Sequence, residues 1–368
     1  MVEFKDLTLR EGSQVPALDI TESAGRDVLD ELASLRIDCV EVSFPRAHSR
    51  ESWYRHADAL GLRTSALARA TASDVDAALA VNPDEVEVIM TSSDVQLEHA
   101  LGKSREEARA ALVENVNRTL DAGVDAGATL MDAIRADNGF LIICARAAVD
   151  AGASHVTLAD TTGAGTPEMV RETVAAIVDA VGADANIALH THDDLGVSTA
   201  NAATGVAAGA TRVDATVGGI GERAGNAPLE EVAVLLAERG DDVELNRDEL
   251  VPICRRIHEH LGVDVPPGKS VLGERAYRHE SGIHTAAMLC DPSTYEAFDP
   301  ATYGGQRKLL FGADTGRGAV RALLSDCGVE PTDDVVSSAL DAIRDAAAET
   351  GDPLGEPDAR HLIESRFA

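Results

Sequence analysis

The chain has 368 residues, 45% of them hydrophobic, enough for one large domain and a smaller appendage around a sizeable core. Its 32 basic residues face 63 acidic ones, a net charge of −31 in which only Lys5, Lys103, Lys269 and Lys308 are lysines; a surface of that sign excludes nucleic acid as a partner, and so much carboxylate with so little lysine is the composition of a halophilic protein in a high-salt cytoplasm. Cys39, Cys144, Cys254, Cys290 and Cys327 are widely spaced with no Cys-x-x-Cys pair, so neither a disulfide framework nor a thiolate metal site is expected, and without a signal-type N-terminus or an apolar run near the ~18 to 20 residues of a membrane span the chain is expected to be cytoplasmic, with no membrane partner.

Short aliphatic or β-branched runs alternate with Ala-rich segments of helical period. In chain order the runs are Phe4–Arg10, Cys39–Phe44, Thr64–Arg69, Glu85–Thr91, Ala128–Ala133, His155–Asp160, Asn186–His192 and Arg212–Gly218. Helix-start signals lie between them, among them Ser104-Arg105-Glu106-Glu107 and Thr166-Pro167-Glu168. Eight such units predict an α/β fold, a (β/α)8 TIM barrel over residues 1–240. A doubly wound open sheet is the runner-up, but no Gly-x-Gly-x-x-Gly follows the first run. After Arg239-Gly240-Asp241-Asp242 the rhythm stops. Residues 241–368, with Pro252 and Pro266-Pro267-Gly268, are expected to form a C-terminal lid or linker and a small, mostly helical subdomain, with no separate regulatory domain.

In such a barrel the carboxyl ends of the strands converge on one mouth, and the polar residues fall at those ends. His190 and His192 are two apart on a predicted strand, so both imidazoles point to one side, as ligands of one metal ion must. Glu11 can complete the set, and two imidazoles with a carboxylate suit a divalent ion such as Mg, Mn or Zn that keeps positions open for an oxygen substrate. Arg10 beside Glu11 would place a fixed cation against a substrate carbonyl, with a surface salt bridge as the bland alternative. The Gly-rich run Gly218 to Asn226 offers close backbone approach and N–H donors, and Asn226 a further oxygen ligand. In the tail, His279-Glu280-Ser281-Gly282-Ile283-His284 is a polar cluster in which His284 with Glu280 can supply a general base.

Taken together, Asp6-x-Thr8-Leu9-Arg10-Glu11-Gly12-x-Gln14, His190-x-His192-Asp193-Asp194, Gly219-x-Gly221-Glu222-Arg223-Ala224-Gly225-Asn226 and His279 to His284 resemble the 2-isopropylmalate, homocitrate and citramalate synthase family over nearly the whole chain. The resemblance implies a metal-assisted Claisen-type condensation in amino-acid biosynthesis, with acetyl-CoA and a 2-oxo acid as substrates. It implies Glu11, His190 and His192 as metal ligands with Asn226 close by, and Arg10, Gln14 and Thr161 on the oxo acid. Gly221, Glu222 and Arg223 then lie near acetyl-CoA, and His284 with Glu280 takes part in proton transfer, often across a homodimer. The resembling enzymes carry His where Glu87 aligns and Glu where Met131 aligns, which points to an altered acceptor pocket; Asp132 can replace some of the lost charge. An isopropylmalate synthase is the reading taken first, with homocitrate or citramalate synthase as alternatives. A lyase of the hydroxymethylglutaryl-CoA type and a catalytically altered paralogue stand behind these.

Overall fold

The computed structural model describes all 368 residues. They form two compact units, residues 1–246 with 252–265, and residues 247–251 with 266–368.

The first unit is a closed barrel of parallel strands, β1 (Glu3–Asp6), β2 (Cys39–Ser43), β3 (Thr64–Arg69), β4 (Glu85–Thr91), β5 (Asp125–Met131), β6 (His155–Asp160), β7 (Asn186–Thr191) and β8 (Arg212–Ala215), in sequential order. Closure is made by β1 against β8, with Glu3 opposite Arg212 and Asp6 opposite Ala215. Helices cover the outside of the strands, so both strand faces are buried; all five residues of β2 are inaccessible. Outward-facing Val and Leu side chains such as Val40, Val42, Val86 and Val88 meet the helices, and charged residues alternate with them toward the barrel axis.

β1 and β8 end three or more residues before their apolar runs do. β1 stops at Asp6, because its carboxylate accepts from the Thr8 backbone N–H at 2.9 Å and from the Thr8 hydroxyl at 2.8 Å. A short polar side chain that satisfies the backbone locally competes with the strand ladder, and the chain coils at once into a helix of a single turn, Thr8–Gly12. Arg10 and Glu11 therefore sit on this helix above β1 rather than on a strand. β8 likewise ends at Ala215, and Val217–Gly219 turns as a short 3-10 segment. β5 starts three residues before the predicted Ala128, since Asp125, Ala126 and Gly127 have little intrinsic strand preference and only tertiary pairing makes them extended.

The helix Leu250–Leu261 lies past the predicted boundary at residue 240, yet its residues from Pro252 belong to the barrel unit. Ile253 and Cys254, four and three residues before Ile257, form with it one stripe that is fully buried there. In the second unit a three-stranded sheet takes the order Leu354–Gly355, Lys308–Phe311, Arg278–His279, and the helices Gly282–Cys290, Arg317–Asp326, Asp333–Thr350 and Glu356–Phe367 pack with it around Phe311, Leu323, Leu324, Ile343 and Ile363. No helix is long and apolar enough to cross a membrane, and all five cysteines are free.

One glycine in the barrel is required by a close approach. A Cβ on Gly127 in β5 would lie 2.3 Å from His155 Nε2 and 2.7 Å from Glu87 Oε2, which are hydrogen-bonded to one another at 2.8 Å. Gly127→Ala must displace that pair, and overpacking with a strained buried bond is expected to lower the unfolding free energy by about 2 to 4 kcal/mol. The check is the urea midpoint at unchanged m-value.

Candidate active site

The helix Thr8–Gly12 brings Arg10 and Glu11 to the barrel mouth, and the end of β7 brings His190 and His192. Oxygen and nitrogen atoms of Glu11, His190 and His192 converge within 4.8 Å of one another, and all three residues are buried. His190 Nε2 lies 3.3 Å from His192 Nε2 and 3.6 Å from Glu11 Oε1. Burial alone would raise the Glu11 carboxyl, but Arg10 first and the two histidines after it hold it down at about 2. Burial, then His190, pushes His192 down to about 4. The set is thus an ionised carboxylate with neutral His192 at neutral pH, the protonation that metal coordination needs.

These residues fit a divalent ion. Two imidazole nitrogens 3.3 Å apart and aimed at one carboxylate are an arrangement that a shared cation relieves. Glu11 Oε2 and Asn226 Oδ1 are buried without a hydrogen-bond partner, and Asn226 is bridged by backbone to His192. A second group of possible ligands, Glu85, Glu87 and His155, lies in the barrel interior. It already has its cations: Lys5 Nζ is 3.0 Å from Glu87 and the Arg212 guanidinium 3.0 Å from Glu85. It is therefore an internal ion cluster, not a second metal site.

Between the mouth and this interior cluster lies a cavity of about 150 Å³. Leu67, Ile89, Met131 and Ala159 give it apolar walls, Arg10 and Thr161 polar ones, and the carboxylates of Glu41, Glu87 and Asp214 its floor. Arg10 donates through Nε to Glu41 at 2.6 Å, through Nη1 to Glu11, and at 3.5 Å to Gln14, so its plane is fixed on two sides. Glu87 accepts from His155, Thr129, Thr157 and Lys5, and although burial acts to raise its carboxyl, Lys5 and then His155 hold it well below the usual carboxylate range. Its position, where a His was expected from the resemblance, is tied into the barrel interior.

Other residues singled out from the sequence are brought to the same mouth. Thr161 Oγ1 accepts from the Asp132 N–H at 2.8 Å, and its carbonyl accepts from Arg223 at 2.9 Å. Arg223 is bidentate to Asp194 at 2.9 and 2.8 Å and also contacts Glu222. Gly221 runs so close to Asn226 that a Cβ would sit 2.3 Å from its Nδ2. Asp132 is held by Arg135 at 2.7 and 2.6 Å and by Ser93, and does not line the cavity, so it does not restore the charge absent at Met131. In the second unit, His284 stacks on Tyr295 with ring centroids 3.9 Å apart, and no hydrogen bond joins it to Glu280, whose carboxylate lies toward Gly312.

Sequence reasoning missed Lys5, Glu41 and Asp214. The signal was present in Phe4-Lys5-Asp6, Val40-Glu41-Val42 and Val213-Asp214-Ala215, where a charge sits between residues of a strand that must be covered on both faces.

Residues 1–257 match the HMGL-like family. The chain belongs to the HMGL-like family. Residues 271–351 match the homocitrate synthase post-HMGL domain-like family. Over 98% of its length this HMGL-like chain is 39% identical to a protein named homocitrate synthase AksA from Methanopyrus kandleri, 92% of which is covered. It is 34% identical to a 2-isopropylmalate synthase from Sulfolobus acidocaldarius, covering 98% of the chain and 94% of that protein. It is also 34% identical to a putative (R)-citramalate synthase from Methanopyrus kandleri, covering 99% and 72%. Among solved structures the barrel resembles a hydroxymethylglutaryl-CoA lyase from Pseudomonas aeruginosa with a TM-score of 0.65 at 22% identity, over 72% of this chain and 94% of that one. That last likeness is one of fold. The HMGL-like chain is an enzyme of the synthase branch.

Removal of one candidate ligand from so small a set should abolish metal retention. Glu11→Ala and His192→Ala are each expected to lose bound divalent metal after desalting, measured by elemental analysis, while circular dichroism stays that of the folded barrel. Wild-type metal content in either would refute the ligand set.

Proposed function

We propose that this HMGL-like enzyme is a 2-isopropylmalate synthase-type acyltransferase that condenses acetyl-CoA with a short aliphatic 2-oxo acid, with Glu11, His190, His192 and Asn226 holding a divalent ion. The observation that carries this reading is the composition of one small cavity: a convergent ligand set and a fixed guanidinium on one side, Leu67, Ile89, Met131 and Ala159 on the other. When bound, the ion supplies Lewis acidity to the ketone of the oxo acid.

The chain's own residues account for the remaining requirements. Arg10 is a permanent cation beside the ligand set, and Glu41 and Glu11 fix its orientation before substrate arrives, so it can stabilise the oxygen that gains negative charge when the ketone is attacked. The Thr161 hydroxyl accepts from the Asp132 N–H, which leaves its own proton for a substrate carboxylate, with Gln14 beside it. The loop Gly221 to Arg223, anchored through Asp194, offers backbone near the acetyl-CoA thioester. Loss of a methyl proton from acetyl-CoA gives the carbanion that forms the new C–C bond at the ketone carbon; that oxygen takes up a proton, and water cleaves the thioester to release the CoA thiol. We assign the proton transfer to His284, supplied across a homodimer; Glu280, turned toward Gly312, has no part in it.

The acceptor follows from charge. The cavity's two guanidinium groups are already paired, Arg10 with Glu11 and Glu41, and Arg223 with Asp194 and Glu222. Its floor is three carboxylates. A second carboxylate on the oxo acid would face like charge without a free partner, whereas an isopropyl or methyl group meets Ile89 and Met131. A homocitrate synthase is the second reading, supported by the similarity to the Methanopyrus protein of that name and by the Arg10-Glu11 pair.

Thiol release from acetyl-CoA with a panel of 2-oxo acids tests both. The expected result is kcat/KM for 3-methyl-2-oxobutanoate or pyruvate at least about 100-fold above that for 2-oxoglutarate, in line with a buried charge left unpaired, and no release once metal is chelated. The reverse order would establish the homocitrate reading, and no release with any acceptor would sink the synthase. In the same assay His284→Ala should retain oxo-acid binding and lose about 100-fold or more in kcat, the usual loss with a general base.

A further inference from the structure

Asp214 enters the account above only as one of the floor carboxylates, yet it is buried beside the ligand set. On the paired strands β7 and β8 it is the register partner of His190, so the two side chains enter the barrel next to each other. Its Oδ2 lies 3.6 Å from His190 Nδ1 and 3.5 Å from Lys5 Nζ. The opposite ring nitrogen, Nε2, faces Glu11 and His192. The other Asp214 oxygen, Oδ1, is buried without a hydrogen-bond partner, so the carboxylate serves no turn, cap or ladder.

We propose that Asp214, itself anchored by Lys5, is a positioning residue that orients His190 and fixes its tautomer for metal binding. An imidazole offers a lone pair at Nε2 only when its proton sits on Nδ1, and a carboxylate on the Nδ1 side selects that tautomer and holds the ring against rotation. The gap of 3.6 Å closes to a hydrogen bond with a small turn of the ring. Lys5 gives the arrangement a second arm. Its ammonium is 3.5 Å from Glu41, and Glu41 holds the Arg10 guanidinium. One buried cation thus anchors both the carboxylate behind the metal ligand and the carboxylate behind the oxyanion-stabilising arginine. A buried ionic cluster is an expensive way to fill a barrel, where apolar residues of similar volume are often neutral or stabilising. Its arms end on His190 and Arg10, which gives it a reason to be there.

This inference rests on the metal set of the proposed function but needs no acceptor, so it is tested by binding alone. Mn2+ is titrated calorimetrically into the metal-stripped full chain. Asp214→Ala should weaken affinity by about 10- to 100-fold with thermal midpoint and gel-filtration volume retained, the range for loss of an outer-sphere carboxylate. Asp214→Asn keeps an acceptor for Nδ1 and should lose less. Glu85→Gln, in the same interior cluster but touching neither His190 nor Arg10, should bind within twofold of wild type. The proposal is overturned if Asp214→Ala binds like wild type, or if Glu85→Gln weakens binding as much, because the loss would then belong to the core as a whole. Should Asp214→Ala not fold, Asp214→Leu, which fills the space without an acceptor for Nδ1, takes its place, and wild-type affinity there overturns it. Absence of Mn2+ binding by the wild-type chain would refute the metal set itself, an outcome distinct from these.

Discussion

A lysine ammonium sealed inside the barrel is the constraint from which the site is built. Lys5 is completely inaccessible on β1, and an unpaired charge there would be prohibitive. Burial works against its proton, but Asp214, then Glu87 and Glu41, more than offset it and leave the amine more basic than usual. The three carboxylates come from β8, β4 and β2, so one charge fixes the relative positions of side chains from four strands. Removal of one partner of such a buried group typically costs about 3 to 5 kcal/mol. The strands are therefore not free to slip in register, and what they carry at their carboxyl ends is held as firmly as the floor beneath.

Electrostatics are layered along the barrel axis. The interior holds Lys5 and Arg212 among Glu41, Glu85, Glu87 and Asp214; above them sit Arg10 and Glu11; above those, at the rim, Arg223 clasps Asp194. Each cation is placed between carboxylates, so no arginine at the mouth is loose. On the proposed function, this pairing would make the cavity selective by exclusion, with charge accepted only beside Arg10 and the candidate ligands. Met131, neutral and unbranched, adds to the same effect at the wall.

Much of the architecture was readable in the chain, since eight runs with intervening helices carry the barrel and their alternation fixes which faces are covered. The convergence of Glu11, His190 and His192 was readable too, because two histidines two apart at a strand end must point to the same side. Two kinds of detail were not. The Asp6 turn converts an apparent strand into a helix through a contact between a side chain and a backbone only two residues on, and apolar periodicity does not register it. The interior charges were hidden for a different reason. Lys5, Glu41 and Asp214 each look like ordinary exposed residues in one strand, and only closure of the sheet reveals that they share a single buried space. Glu87 shows the same limit from the other side: alignment set it where the resembling enzymes carry His and pointed to an altered pocket, whereas four partners tie it into the charged floor of the cavity.

Closure itself has a temporal consequence. The seam pairs residues 3–6 with residues 212–215, and the ligand set joins Glu11 to His190 and His192 across it. These are among the most sequence-distant contacts of the unit, the kind that form late because the loop they close is long. On a ribosome, the first strand and its buried lysine must wait for most of the barrel to be made before their partners exist. Acquisition of metal would then coincide with the last act of folding, and a nascent or seam-opened chain would be recognisable by its inability to hold the ion.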